Sequence, residues 1–226
     1  MEDPLRIEFN EWARAGRGDS MERGHRPVGE QAIEQMSVRS DAQVLDVGCG
    51  SGWASRLLAE KAHAGRVVGI DISDEMIRVA TEQSTAFPNV TFQVASAESL
   101  PFESGEFTDV FSMESLYYYV DMNRALREIH RVLKTSGLFV TVVDLYLENE
   151  ASHQWIEQLR VPVQLLSTAQ YISLFAGAGF VEVKAQRILD PTPLPDDYTG
   201  TSFKSREDFL QYRAAGSLML SGRAGK

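Results

Sequence analysis

A single cysteine, Cys49, stands among the 226 residues. That excludes an intramolecular disulfide framework and a cage of thiolates around a metal. Its place between two glycines suits a small residue in a tight turn rather than a reactive thiol. Positive charge is also short: 22 Lys and Arg stand against 32 Asp and Glu, a net charge of −10. With no basic stripe to follow a phosphate backbone, nucleic acid is not an expected partner. No apolar run reaches the roughly 20 residues of a membrane span, and the opening "MEDPLRIEFNEW" lacks the basic and apolar regions of a signal peptide. The expectation is a cytoplasmic protein, independent of membranes and of bound metal, that acts on a small-molecule partner as a monomer or homodimer.

What the chain does have is alternation. Short apolar runs, "QVLDVG", "RVVGIDIS", "VTFQVAS", "FTDVFSM" and "LFVTVVDLY", are interleaved with the helical patterns "GWASRLLAEKAH", "DEMIRVATEQS" and "MNRALREIHRVLKTSG". Strands apolar on both faces, separated by helices, predict a parallel sheet with both faces covered. Asp74 and Asp121 read as helix caps, and Gly137, after Lys134, as a helix stop. A helix ending in "YISLFAGAGF", a strand "VEVKAQRI", a last helix "SREDFLQYRAAG" and a closing strand "SLMLSG" follow. The first 40 residues differ: Leu5, Phe9 and Trp12 share a face at helical spacing, a polar glycine-containing stretch follows, and Pro27 reads as the start of a second helix. Residues 1–40 are therefore expected to form a helical cap over one compact unit at 41–226.

The chemistry begins at "VLDVGCGSGW". A strand ending in Asp46 runs into Gly48, Gly50 and Gly52 and then directly into a helix, so the backbone can turn sharply and approach a ligand closely. About 20 residues further on, the next strand ends in Asp71, the spacing at which a carboxylate meets the hydroxyls of a ribose. A dinucleotide fingerprint requires a third glycine where Trp53 stands. Asp46 so near the loop would repel a phosphate but attract the ammonium of an amino acid. Both features favour S-adenosylmethionine over a nicotinamide dinucleotide.

Through "VLDVGCGSGW", "VVGIDISDEMI", "ASAESLPF", "FTDVFSMESLYYYVD" and "ALREIHRVLKTSGLFV", the sequence resembles the class I S-adenosylmethionine-dependent methyltransferases, and among them the small-molecule branch of the ubiquinone and menaquinone type. The resemblance implies a Rossmann-like α/β fold with a seven-stranded sheet whose last strand, "SLMLSG", is antiparallel. It implies that Asp46, Gly48, Gly50 and Gly52 hold the methionine part of the cofactor, Asp71 the ribose, Ile72 a face of adenine, and Ala97 with its neighbours the adenine edge. Where the family commonly has an acid, this chain has Ser96, which accepts only a neutral hydrogen bond, so Glu98 or a backbone carbonyl stands as the substitute. Trp53 and Met113 are grouped with these contacts, with core packing as the alternative role of Trp53.

Ligands of such sheets bind outside the carboxyl ends of the strands. Met113 and Glu114 end the fourth strand, Asp144 and Tyr146 the fifth, and "YYY" follows the fourth. Successive residues of a helical turn point about 100° apart, so one or two of these tyrosines can share a pocket. Tyr117 and Tyr118 are expected there, to position an acceptor and to face a cation with their rings. His25, in the polar part of the cap, is the third expected acceptor-site residue, and Glu114 and Asp144 are further candidates for a base. His63, His130 and His153 read as structural. The competing reading is a domain that binds S-adenosylmethionine as a sensor, or binds a partner, without catalysis.

Overall fold

The computed structural model describes residues 3–226, so the first two residues of the expected cap lie outside the described part. Seven strands form one sheet: β1 (Gln43–Val47), β2 (Arg66–Asp71), β3 (Val90–Val94), β4 (Phe107–Met113), β5 (Leu133–Val143), β6 (Phe180–Ile188) and β7 (Ser217–Ala224). Their order is β3-β2-β1-β4-β5-β7-β6. The β1–β5 neighbours pair in parallel. β7 is inserted antiparallel between β5 and β6, as the resemblance implied for the last strand. The order reverses between β1 and β4, and a ligand crevice opens at such a point.

Seven α-helices complete the fold: α1 (Pro4–Arg14), α2 (Arg17–Met36), α3 (Trp53–Lys61), α4 (Asp74–Gln83), α5 (Met122–Val132), α6 (Thr168–Gly177) and α7 (Arg206–Ala215). Helix α5 shows why these sequences fold as they do: Met122, Ala125, Leu126, Ile129 and Val132 recur at helical spacing and are all buried. They join Phe139, Phe175 and Phe180 in a core on one face of the sheet. Val28, Ile33, Trp53 and Leu58, from α2 and α3, pack with Val140 and Val142 on the other. No described helix is long and apolar enough to cross a membrane.

Three local expectations are corrected. Pro27 lies inside α2, which starts ten residues earlier, at Arg17. The Arg26 pairs with Glu22 and Glu30 at i±4, and tertiary packing of Gly18 and Gly29 against Ser51 and Trp53, hold the helix through the missing proline N–H. Helix α5 ends at Val132 and not at Gly137, because Leu133 is already extended and paired with Phe107. Ser73, rather than Asp74, caps α4, its Oγ accepting from the Met76 N–H at 3.0 Å.

The cap is fastened at two places. Helix α1 packs Leu5 and Phe9 of its apolar face against the core, and its fully buried residues are the polar Glu8 and Asn10. Asn10 accepts from the Ser73 hydroxyl at 2.6 Å and donates to Asp74 at 2.9 Å, so α1 is tied to the start of α4. Phe9 meets Tyr118 edge-on with ring centres 5.0 Å apart. Helix α2 lies on α3: a Cβ on Gly29 would stand 2.4 Å from the Trp53 ring, and Arg56 bonds Glu22 across the same seam. The two helices thus bridge the carboxyl end of the sheet.

Candidate active site

A cleft at this end of the sheet is lined by Asp46, Gly48, Gly50, Asp71 and Ile72 on one side, Ser96, Ala97 and Glu98 beyond them, and Phe9, Gly18, Met21 and His25 from the cap. The loop after β1 is shaped by the chain's own backbone. The N–H groups of Gly48 and Cys49 both donate to the Ile70 carbonyl, at 2.8 and 2.9 Å. Gly48, Gly50 and Gly52 all have positive φ, the region that only glycine enters without strain. The three do not serve one purpose. A Cβ on Gly48 would stand 2.4 Å from Ser115, and one on Gly52 would stand 2.8 Å from the Phe92 ring, whereas one on Gly50 would meet nothing within 4 Å. Gly50 alone faces open space, and Gly52 is not part of the cleft lining.

Two carboxylates flank this loop. Asp46, at the end of β1, is 1% exposed and accepts from the Ser55 hydroxyl at 2.6 Å. Burial, reinforced by the nearby Asp71 charge, outweighs that bond and pushes the Asp46 carboxyl up to about 7. Asp71, at the end of β2, accepts from the Gly50 N–H at 3.0 Å and the Ser73 N–H at 2.9 Å. Each of its oxygens is thereby fixed while keeping acceptor capacity. Burial raises this carboxyl too, against the pull of those N–H groups. Ser96 accepts from the Glu98 N–H at 3.2 Å, and Glu98 in turn accepts from the Asp121 N–H at 3.0 Å. Cys49 is buried and its thiol is raised well above its ordinary range by desolvation, which makes it inert.

The other half of the cleft is built around Glu114 and Ser115. Ser115 meets the Ser112 hydroxyl at 2.6 Å, the Val47 carbonyl at 3.1 Å and the Tyr119 hydroxyl at 2.8 Å. It links β1, β4 and the tyrosine turn. Tyr118 lines the cleft with Tyr119, which the sequence reading left out. Tyr117 does not line it: the tight turn at Leu116–Tyr118 sends this side chain behind Glu114, to which its hydroxyl donates at 2.8 Å. Glu114 also accepts from the Asp144 N–H at 2.5 Å, and Asp144 accepts from the Tyr212 hydroxyl at 2.7 Å. Burial first, and then the Asp144 charge, raise the Glu114 carboxyl well above its ordinary range.

His25 reaches the same place from α2. Ligating atoms of His25, Glu114 and Asp144 all lie within 4.8 Å of one another. Burial lowers the His25 pKa, opposed by the Asp144 charge, so the ring is held neutral. Trp53 and Met113 line the cleft as well, and Trp53 has the packing role against Gly29 besides. Tyr171 and Tyr212, near Glu114 and Asp144, were not anticipated. They arrive from distant segments with no local motif, and only their aromatic character marks them in the sequence.

The methyltransferase domain family matches residues 45–141. The chain is 32% identical over 117 residues to a demethylmenaquinone methyltransferase of Staphylococcus saprophyticus, covering 51% of this chain and 50% of that protein. It is 32% identical over 129 residues to the uncharacterized methyltransferase YcgJ of Bacillus subtilis, covering 56% and 50%. The chain thus spans about half the length of the curated relatives it matches. Likeness to a solved structure extends further. The Haloferax volcanii methyltransferase chain in a complex with the Trm112 methyltransferase activator superposes with a TM-score of 0.90 and 34% identity, over 97% of this chain and 98% of that one.

Proposed function

We propose, from the premise that this chain belongs to the S-adenosylmethionine-dependent methyltransferases, that it transfers a methyl group to a small-molecule acceptor enclosed under the α1–α2 cap. One observation carries the reading: a single cleft joins the loop around Gly50 and Asp71 to the enclosed group of His25, Glu114 and Tyr118.

The residues fit the cofactor. Gly50 leaves open the space that a Cβ would fill. Asp46 is a buried carboxyl whose only side-chain hydrogen bond among the described residues comes from the neutral Ser55, which suits the amino group of the methionine moiety. Asp71 keeps acceptor capacity for two ribose hydroxyls. Ile72 and Ala97 supply apolar faces for adenine, with Ser96 and Glu98 at its polar edge and Met113 toward the acceptor side. When bound, the cofactor supplies a sulfonium-borne methyl group. The chain's part is to align the acceptor with Tyr118 and the Glu114 region, to exclude water with Phe9 and Met21, and to receive a proton where the acceptor carries one. Incubation with tritiated S-adenosylmethionine and a metabolite panel tests this reading. Label in a small organic product supports it, and cofactor binding without transfer to any member favours the sensor reading.

A second reading concerns assembly. The similarity to a chain that forms a complex with an activator protein supports a protein partner of that kind here, in place of a solitary monomer or a homodimer. Co-expression with the activator and size-exclusion chromatography separate these arrangements.

A further inference from the structure

We propose, resting on the methyltransferase reading, that the acceptor is an amine, held as its ammonium by Glu114 and His25 within a nest of tyrosines, with Asp144 as a second charge behind them. Three elements converge to make the nest: α2 brings His25, the end of β4 brings Glu114, and the end of β5 brings Asp144. Their ligating atoms lie within 4.8 Å of one another, so an ammonium hydrogen-bonded to Glu114 and His25 at roughly 2.8 Å also lies within Coulombic reach of Asp144.

Glu114 is held in place for this task. Its φ is +54°, a left-handed conformation that a non-glycine residue keeps only where its surroundings impose it. The Asp144 N–H and the Tyr117 hydroxyl each fix one of its oxygens. Asp144 is 2% exposed, and one of its carboxylate oxygens has no hydrogen-bond partner among the described residues. No described Lys or Arg forms a salt bridge with either acid. Asp144 is buried and Glu114 half-buried, and burial together with their proximity favours the protonated form of Glu114 in the ligand-free protein; an ammonium placed beside it favours the carboxylate instead, the displaced proton leaving to solvent.

The walls agree. Four of the chain's seven tyrosines gather here. Tyr117 and Tyr212 donate to the two acids, and the Tyr118 and Tyr171 rings lie close enough to sense the Glu114 charge. Tyr117 and Tyr118 are 4.5 Å apart, with Phe9 against Tyr118. Of these four rings Tyr118 lines the cleft; its face attracts a desolvated cation and gives nothing comparable to a neutral hydroxyl, while a carboxylate or phosphate acceptor would be repelled by the acids. The His25 side chain makes no hydrogen bond to another described residue, and its neutral ring is free to accept. An N–H bond of the bound ammonium breaks, its electron pair stays on the acceptor nitrogen as a lone pair, and the proton passes to the imidazole. Asp144 acts through Glu114 and is a positioning residue.

The test is calorimetry on the full chain saturated with S-adenosylhomocysteine, with the primary amine 3-methylbutylamine, cationic near neutral pH, against its neutral isostere 3-methyl-1-butanol. The unaltered protein should bind the cation at least about tenfold more tightly. Glu114→Gln should abolish that selectivity, and Asp144→Asn should reduce it several-fold. Both variants should keep their S-adenosylhomocysteine affinity within about twofold, which also shows that they are folded. Equal binding of the two probes by the unaltered protein would overturn the proposal without any variant. So would displacement of the amine by stoichiometric magnesium, which would make the nest a metal site. Absence of S-adenosylhomocysteine binding would remove the methyltransferase reading itself, a failure distinct from loss of probe selectivity.

Discussion

The two halves of the cleft gather their polar groups in opposite ways. On the β1–β2 side, Asp46, Gly50 and Asp71 lie within 26 positions of one another and are joined by short bonds such as Gly50 N–H to Asp71. On the β4–β5 side, His25, Glu114, Asp144, Tyr171 and Tyr212 come from five separate segments. The first half is organised by backbone: positive φ at the glycines, N–H groups on a carboxylate, a strand feeding a helix. The second is organised by side chains meeting side chains. A backbone-built site tolerates few residue types at each position. A side-chain-built site can be rebuilt for another acceptor while the sheet stays unchanged.

The largest expected effect separates two glycines of the first half, Gly48 and Gly50, that flank Cys49. Gly48→Ala should lose about 2–5 kcal/mol of stability, from left-handed strain plus the forced displacement of Ser115, because the new Cβ would stand 2.4 Å from that side chain. Gly50→Ala, with nothing within 4 Å, should lose only about 1 kcal/mol of stability while weakening S-adenosylhomocysteine. Thermal unfolding with and without the ligand reads both. Equal destabilisation would erase the distinction between the packing glycine and the ligand-facing one.

Next in size is a pH effect centred on Asp46 in the first half. Asp46 has a folded pKa of about 7, above its ordinary 3.8. Its contribution to the stability of the ligand-free protein is therefore full below about 4 and is lost as pH rises through 7. Raised carboxyls at Asp71 and Glu114 act in the same direction. Ligand binding should run the other way, since only the Asp46 anion pairs with an ammonium. Affinity for S-adenosylhomocysteine should rise with pH, approaching about tenfold per unit below 7, and level off above it. Titration calorimetry from pH 5.5 to 8.5 should show this, and Asp46→Asn should flatten the profile. A flat profile in the unaltered protein would dissociate Asp46 from the cofactor.

The smallest effects distinguish neighbours in the tyrosine turn. Tyr119→Phe removes the bond to Ser115, which ties the two halves together, and should cost about 1 kcal/mol of stability. Tyr118→Phe, whose hydroxyl lies beside that of Tyr117, should change stability by less than about 0.5 kcal/mol. Chemical denaturation of both variants decides, and the reverse ranking would mean that Ser115 is not the link.

The same contrast explains what could be read from the chain alone. The parallel sheet, the antiparallel last strand, Asp46, Gly50 and Asp71 are written locally, as apolar runs and a loop whose spacing has a physical cause. Helix α2 was misjudged because Pro27 is a strong local signal overridden by packing of Gly29 on Trp53. Tyr117 was turned the wrong way because three consecutive tyrosines do not reveal where a tight turn starts. Ser115, Tyr171 and Tyr212 carry no motif at all, since their meaning depends on strands and helices that meet only in three dimensions.

The account rests on the separability of a backbone-built cofactor half from a side-chain-built acceptor half. Titration of S-adenosylhomocysteine into the unaltered protein, Asp71→Ala and Glu114→Gln tests it directly. Loss of hydrogen bonds to the charged Asp71 should weaken binding by about 1.5–3 kcal/mol, while Glu114→Gln should bind within about twofold of the unaltered protein. Equal losses in the two variants, or no loss in Asp71→Ala, would contradict it.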